Sequence, residues 1–193
     1  MSTVGTPQAT TVRYLIDAKR STFIVRGFAT GMLSAFAHSP TIAIADFQGE
    51  VEWSSSALED ASLRLVIQTA SLSVTDDISD KDRREIERRM HHEVLEADGF
   101  PEIIYECPRA SSIQKMGEGL FTVVLNGELS LHGVTRAQPV SARMTLNGDT
   151  LGSVGDFSVR QSDYEIMPVS AAGGTIKLKD ELKLSFDITA RKA

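Results

Sequence analysis

Residues 121–132 read FTVVLNGELSLH, and their alternation decides the fold. Phe121, Val123, Leu125, Gly127, Leu129 and Leu131 fall on one face; Thr122, Val124, Asn126, Glu128, Ser130 and His132 fall on the other. A period of two sustained this far marks a half-buried antiparallel strand. Asn126-Gly127 is a turn-forming pair, yet the alternation runs through it unbroken. The glycine is therefore expected to bend one continuous strand, as curvature in a barrel requires. The same period recurs at Leu182, Leu184, Phe186, Ile188 and at Val140, Ala142, Met144, Leu146. Shorter alternations sit at Leu63, Leu65, Ile67 and at Phe157, Val159, and residues 12–18, 22–29 and 41–53 also read as strands. Asn147-Gly148-Asp149 is a hairpin turn between two such runs, His132-Gly133 closes the long strand, and Gly117 and Gly119 introduce it.

One stretch departs from this pattern. A highly charged run begins at Ser79-Asp80-Lys81-Asp82 and continues through Arg89 into Met90-His91-His92-Glu93-Val94-Leu95. Asp80 is expected to cap a helix whose early acids and later Arg83, Arg84, Arg88 and Arg89 match the helix dipole. Ile86, Met90, Val94 and Leu95 recur at helical spacing as its buried stripe, and Gly99-Phe100-Pro101 ends it. Many strands, one inserted helix and then more strands imply an all-β barrel or sandwich with a helical insertion.

The chain has 193 residues, 41% hydrophobic and 24% charged. This suits one globular domain that buries roughly 70% of its unfolded surface and needs no staple. Twenty basic against 26 acidic side chains give a net charge of −6, which argues against phosphate-driven nucleic-acid binding. The single Cys107 excludes an intrachain disulfide and a cysteine-based zinc site. No apolar run reaches the length of a membrane span. The opening MSTVGTPQATT has neither a basic nor an apolar segment of a secretory signal, so the expected compartment is the cytoplasm.

Catalytic signatures are missing. The sequence contains no phosphate-binding G-x-x-x-x-G-K-[ST], no G-x-G-x-x-G after a strand and no G-x-S-x-G elbow. His92-Glu93-Val94-Leu95-Glu96 resembles a zinc-protease helix but carries Glu96 where the second histidine must stand. His91 and His92 are adjacent and point about 100° apart on a helix. His132 is expected to hydrogen-bond in its turn, and Cys107, among apolar neighbours, is expected to be an inert packed thiol. His38, in the loop Ser34-Ala35-Phe36-Ala37-His38-Ser39-Pro40, is a candidate to orient a polar ligand head or act as a base.

Residues 127–136, GELSLHGVTR, resemble the G-x-L-x-L-H-G-V-T-[KR] signature of the YceI-like lipid- and polyisoprenoid-binding family. Asp98-Gly99-Phe100-Pro101-Glu102-Ile103 is similar to the family's exit from its helix into a strand. Arg160-Gln161-Ser162-Asp163-Tyr164-Glu165-Ile166 resembles its R-x-D-[FY]-x-I stretch with one extra residue, and residues 180–190 resemble its closing strand. Tyr14-Leu15-Ile16-Asp17 followed by Ser21-Thr22-Phe23 is similar to its opening.

The resemblance implies a lipocalin-like, extended antiparallel β-barrel of eight strands with a helical insertion. Residues 1–11 would then be a flexible N-terminal segment and residues 12–191 the barrel domain. It implies a non-catalytic carrier or sequestering protein for a long-chain isoprenoid, fatty acid or fatty amide, with no cofactor and no metal. A homodimer is also implied. Cavity contacts are expected from Phe23, Phe36, His38, Phe121, Val123, Leu125, Leu129, Met144, Phe157 and Phe186.

Desolvating about 20 methylenes at ~0.8 kcal/mol each gives on the order of 16 kcal/mol gross. Ordering the chain cancels half or more, which leaves room for submicromolar affinity. Two other readings stand against this one. The first is an enzyme acting on a small hydrophobic substrate through His38, aided by Asp163 or His132. The second is a stress-linked interaction module to which lipid is incidental.

Overall fold

A computed structural model describes residues 11–30, 39–54, 60–171 and 176–193. The first half contains β1 (Thr11–Ile16), β2 (Thr22–Arg26), β3 (Ala29–Thr30), β4 (Thr41–Ile44), β5 (Phe47–Ser54), β6 (Ser62–Gln68) and β7 (Leu72–Val74). Helix α1 (Asp80–Arg89) follows. Then come β8 (Glu102–Cys107), β9 (Ala110–Gly117), β10 (Leu120–Leu131), β11 (Val134–Asn147), β12 (Thr150–Arg160), β13 (Ser170–Ala171), β14 (Ile176–Leu178) and β15 (Glu181–Lys192).

Hydrogen bonding closes these strands into a tube. The order β1-β5-β6-β8-β10-β11-β12-β15 returns to β1 through Tyr14↔Lys192, Leu15↔Arg191 and Ile16↔Ala190. Every pairing is antiparallel and follows chain order, so the fold is a lipocalin-like, eight-stranded up-and-down barrel with one helical insertion. Closure of β1 on β15 joins what would otherwise be the two outer edges of the sheet, the usual hazard of an all-β fold.

Four of the eight staves are broken strands. β1 and β2 lie end to end along β15, interrupted by the single turn Ala18–Arg20. Ser21 holds that break, donating to the Asp17 carbonyl (2.7 Å) and accepting from the Thr189 N–H (3.0 Å). In the same way β5 and β4 pair with β1 and β2, β6 and β7 pair with β5 and β4, and β8 and β9 both pair with β10. The stretch 41–53, read as one strand, is thus interrupted between Ile44 and Phe47. Strand β9 was not apparent in the sequence because its residues, apart from Ala110 and Ile113, are polar or exposed.

The turns follow their chemistry. His132 (φ 52°) and Gly133 (φ 74°) form the two-residue β10–β11 turn, and Gly148 (φ 57°) opens the β11–β12 turn. β10 is continuous through Asn126-Gly127, as its alternation requires.

The helix differs from expectation at both ends. Its cap is Ser79, whose Oγ accepts from the Asp82 N–H (3.1 Å) and donates to the Asp82 carboxylate (2.7 Å), so Asp80 is already inside the first turn. The reciprocal Ser-x-x-Asp arrangement outcompetes a lone Asp cap. Beyond Arg89 the chain widens into a π-turn, Met90–Val94. That extra residue rotates the stripe: Met90 is buried and Val94 and Leu95 pack on the core, while Ile86, expected in the stripe, is 39% exposed. Ser79→Ala is expected to cost about 1 kcal/mol, read as a lower urea midpoint at unchanged slope.

Candidate functional site

Inward-facing side chains form two clusters. At the end of the barrel near the β11–β12 turn, Tyr14, Trp53, Phe121, Leu151 and Ala190 pack tightly, with Leu151 2% and Ala190 0% exposed. Trp53 and Phe121 meet edge-on at 5.1 Å. This end is blind. Toward the helix end, Phe23, Phe157 and Phe186 stand in pairwise tilted contact at 6.0–6.4 Å, and Phe47 meets Phe23 at 6.5 Å.

Between the clusters lies a void of about 200 Å³. On β10 alone its lining runs from Val123 to Leu131, roughly 20 Å along the axis at a rise of ~3.4 Å per residue and a strand tilt of ~40°. A volume of that size drawn out over that length is a slender channel, wide enough for one chain and too narrow for a compact molecule. Leu125, Leu182 and Leu184 point inward, border the void and are only half-buried. The tube is therefore not filled by its own side chains.

The walls are almost wholly apolar. Ser62, Ser153, Tyr105 and the indole N–H of Trp53 are the only polar side-chain groups among the described lining residues. The Tyr105 hydroxyl is committed in both directions: it donates to the Gln138 carbonyl (3.1 Å) and accepts from the Gly127 N–H (3.2 Å). Burial, aided by the neighbouring Cys107, pushes its pKa up to about 12. Cys107 is 0% exposed, its Sγ donates to the Arg109 carbonyl (3.2 Å), and burial raises its pKa. A thiol so placed is a packing group.

The expected site residues separate clearly. Phe23, Val123, Leu125, Leu129, Met144, Phe157 and Phe186 border the void. Phe121 does not; its ring is spent on Trp53 in the blind end, because the tube narrows where aromatic side chains meet across it. Phe36 and His38 lie outside the described residues. His132 is in its turn, its Nδ1 3.3 Å from the Tyr164 carbonyl and its ring on Phe100 at 4.5 Å, away from the void. Asp163 offers its backbone carbonyl to Arg136 (2.6 Å). Trp53 and Tyr105, which no motif singled out, are wall residues. The alternation of Val51 with Trp53, and of Ile103 with Tyr105, was the available signal.

No group of three or more potential metal ligands gathers among the described residues. No helix among them is long and apolar enough to cross a membrane.

The profile of the YceI-like domain matches residues 14–190. The chain belongs to the YceI-like family. Solved structures share this YceI-like barrel at low sequence identity. BcnA of Burkholderia cenocepacia is 16% identical with a TM-score of 0.66, over 90% of this chain and 98% of that one. A polyisoprenoid-binding domain from Saccharophagus degradans, implicated in plant cell wall breakdown, is 14% identical with a TM-score of 0.68, over 94% and 99%. The Campylobacter jejuni YceI protein is 14% identical with a TM-score of 0.58, over 79% and 84%. At these identities the likeness carries the fold alone. No curated protein matches the sequence.

Proposed function

We propose that this YceI-like barrel binds one long apolar chain, an isoprenoid or acyl lipid, and carries or sequesters it without transforming it. The observation that carries the reading is the slender void with an apolar wall. A channel of this kind offers nothing to a polar solute and a full hydrocarbon surface to a chain, at ~25 cal/mol per Å² removed from water. The polyisoprenoid-binding relative from Saccharophagus degradans supports the class of ligand. Phe23, Val123, Leu125, Leu129, Met144, Phe157 and Phe186 are the proposed contacts. Binding without chemistry is favoured because no histidine, carboxylate or amine is among the described lining residues, and general acid–base catalysis needs a positioned proton carrier.

Native mass spectrometry of protein purified without detergent tests this. One additional mass in the range of a long-chain lipid is expected per chain, and organic extraction should remove it. Protein that carries no such mass, and gains none after incubation with vesicles containing farnesol, geranylgeraniol or palmitate, overturns the reading. The same spectrum counts the copies that associate, for which a homodimer is proposed.

A further inference from the structure

The barrel wall is incomplete in its half nearer α1. β10 and β11 pair along their whole length, from Leu120↔Thr145 to Leu131↔Val134, and β12 and β15 pair from Thr150↔Arg191 to Arg160↔Glu181. Between β11 and β12 the ladder runs only from Asn147↔Thr150 to Ala142↔Gly155. Above that last pair, residues 134–141 and 156–160 belong to the same ring but do not pair with each other.

A seam therefore rises from Ala142 and Gly155 toward the helix end. Among the described residues it is bridged only at its top, where the turn Gln161–Tyr164 meets the β10–β11 hairpin. There the Arg136 Nε donates to the Asp163 carbonyl (2.6 Å) and the His132 Nδ1 lies 3.3 Å from the Tyr164 carbonyl.

The other gap in the ring is sealed differently. β7 lacks a strand on its outer side, and α1 takes that place. Glu87 accepts from the Val74 N–H (2.9 Å), Arg83 donates to the carbonyls of Val74 and Asp76, and His91 Nε2 lies 2.8 Å from the Leu72 carbonyl. Side chains of the helix thus occupy the free edge of β7, while among the described residues nothing comparable covers the seam.

At the foot of the seam the outer surface holds a depression of about 430 Å³, bounded by Thr122, Ser141, Arg143, Val154, Asp156 and Ser185. Its floor includes Ala142 and Phe186, which are also walls of the inner void. Gly155 makes this possible: a Cβ there would stand 2.6 Å from the Phe186 ring and 2.6 Å from the Ser141 carbonyl. The Phe186 ring rests in this glycine notch and, with Ala142, borders both the inner void and the outer depression.

We propose that this seam is a lateral portal, through which an apolar chain enters and leaves the lumen with Phe186 and Phe157 as its door. The proposal rests on the lipid-binding reading and adds the route. The blind end, closed by Trp53 and Phe121, cannot serve; the β7 gap is stitched by α1; among the described residues the seam alone combines an unpaired wall with side chains shared by lumen and surface. Swinging two aromatic side chains demands far less than unzipping a strand pair, and rotamer changes of that kind are fast.

The test is a reversible lock. Ser141 and Asp156 are exposed and stand first across the seam above the last paired residues. In a Ser141→Cys/Asp156→Cys chain, oxidation or a short bismaleimide bridge would pin the seam, and the buried Cys107 would not compete. Uptake and release of cis-parinaric acid, followed by its fluorescence and by energy transfer from Trp53, are expected to slow at least tenfold when the lock is closed. Reduction of the disulfide should restore them, and the amount bound by protein loaded before locking should be unchanged. Arg136→Ala, which removes one of the two bonds at the top of the seam, should accelerate exchange several-fold. Equal rates in locked and reduced protein overturn the portal while leaving lipid binding intact. A wild-type chain that takes up neither cis-parinaric acid nor a fluorescent farnesol analogue overturns the lipid-binding reading and the portal with it.

Discussion

Gly127→Val is expected to destabilise the barrel by about 3 kcal/mol or more, the upper end of what overpacking costs and a large share of a domain's total stability. Gly127 occupies an inward position of β10, where the alternation would otherwise place a large apolar side chain. Tyr105 lies across that position instead. A Cβ on Gly127 would stand 2.5 Å from the Tyr105 Cζ, 2.6 Å from its hydroxyl and 2.6 Å from the Glu106 carbonyl oxygen. The first two contacts belong to a side chain and the third to backbone, so trimming Tyr105 relieves only part of the clash. The valine would also displace the hydroxyl from the Gly127 N–H and the Gln138 carbonyl, leaving buried polar groups unpaired at ~1–3 kcal/mol each. Gly148→Ala provides the contrast. Nothing lies within 4 Å of its Cβ, but φ is +57°, so it should lose about 1 kcal/mol through backbone strain alone. Urea unfolding of both variants and of Gly127→Val/Tyr105→Ala measures this. A Gly127→Val midpoint equal to that of Gly148→Ala, or full rescue by Tyr105→Ala, would contradict the account.

Leu125→Trp is expected to weaken binding of a long-chain lipid at least 100-fold while changing stability by less than about 2 kcal/mol. Leu125 is half-buried because its side chain borders the void, and Val123 and Leu129 flank it along the lining of β10. An indole there enters space the protein leaves empty, so the usual cost of overpacking is reduced, but it cuts a channel of about 200 Å³ in two. Losing half the buried chain removes several methylenes at ~0.8 kcal/mol each, and about 1.4 kcal/mol is a factor of ten in affinity. Direct excitation of cis-parinaric acid in a titration measures the loss without interference from the added indole. Unchanged affinity with unchanged stability would mean that the chain does not lie along Leu125.

Much of this architecture was legible in the residues. The long alternations of β10, β11 and β15 and the shorter one of β12 separated an apolar face from a polar one, and closure of the tube turned the apolar face inward, since a side-chain period of two puts the whole apolar set on one side. The turns at Asn147-Gly148 and His132-Gly133 followed from local chemistry. The helix was visible in its charges, and Met90, Val94 and Leu95 of its stripe face the core as expected, but its cap and the place of Ile86 were not legible: the cap depended on a Ser79–Asp82 pairing, and Ile86 is exposed on the turn before the π-turn at Met90–Val94. The candidate site was legible as a set of inward residues without a shape. Phe121 was indistinguishable from Val123 and Leu125 along the strand, and only the approach of Trp53 from β5 assigned it to the blind end.

From the amino-acid order alone came the split of each strand into an apolar and a polar face, the turns and the inserted helix, because each depends on residues a few positions apart. Folding in three dimensions decided the rest. Closure between β1 and β15 joins residues at opposite ends of the chain, the void is what remains after side chains from eight strands have met, and the seam exists because β11 and β12 stop pairing at Ala142 and Gly155. Those are distances between segments remote in sequence, and no local period encodes them.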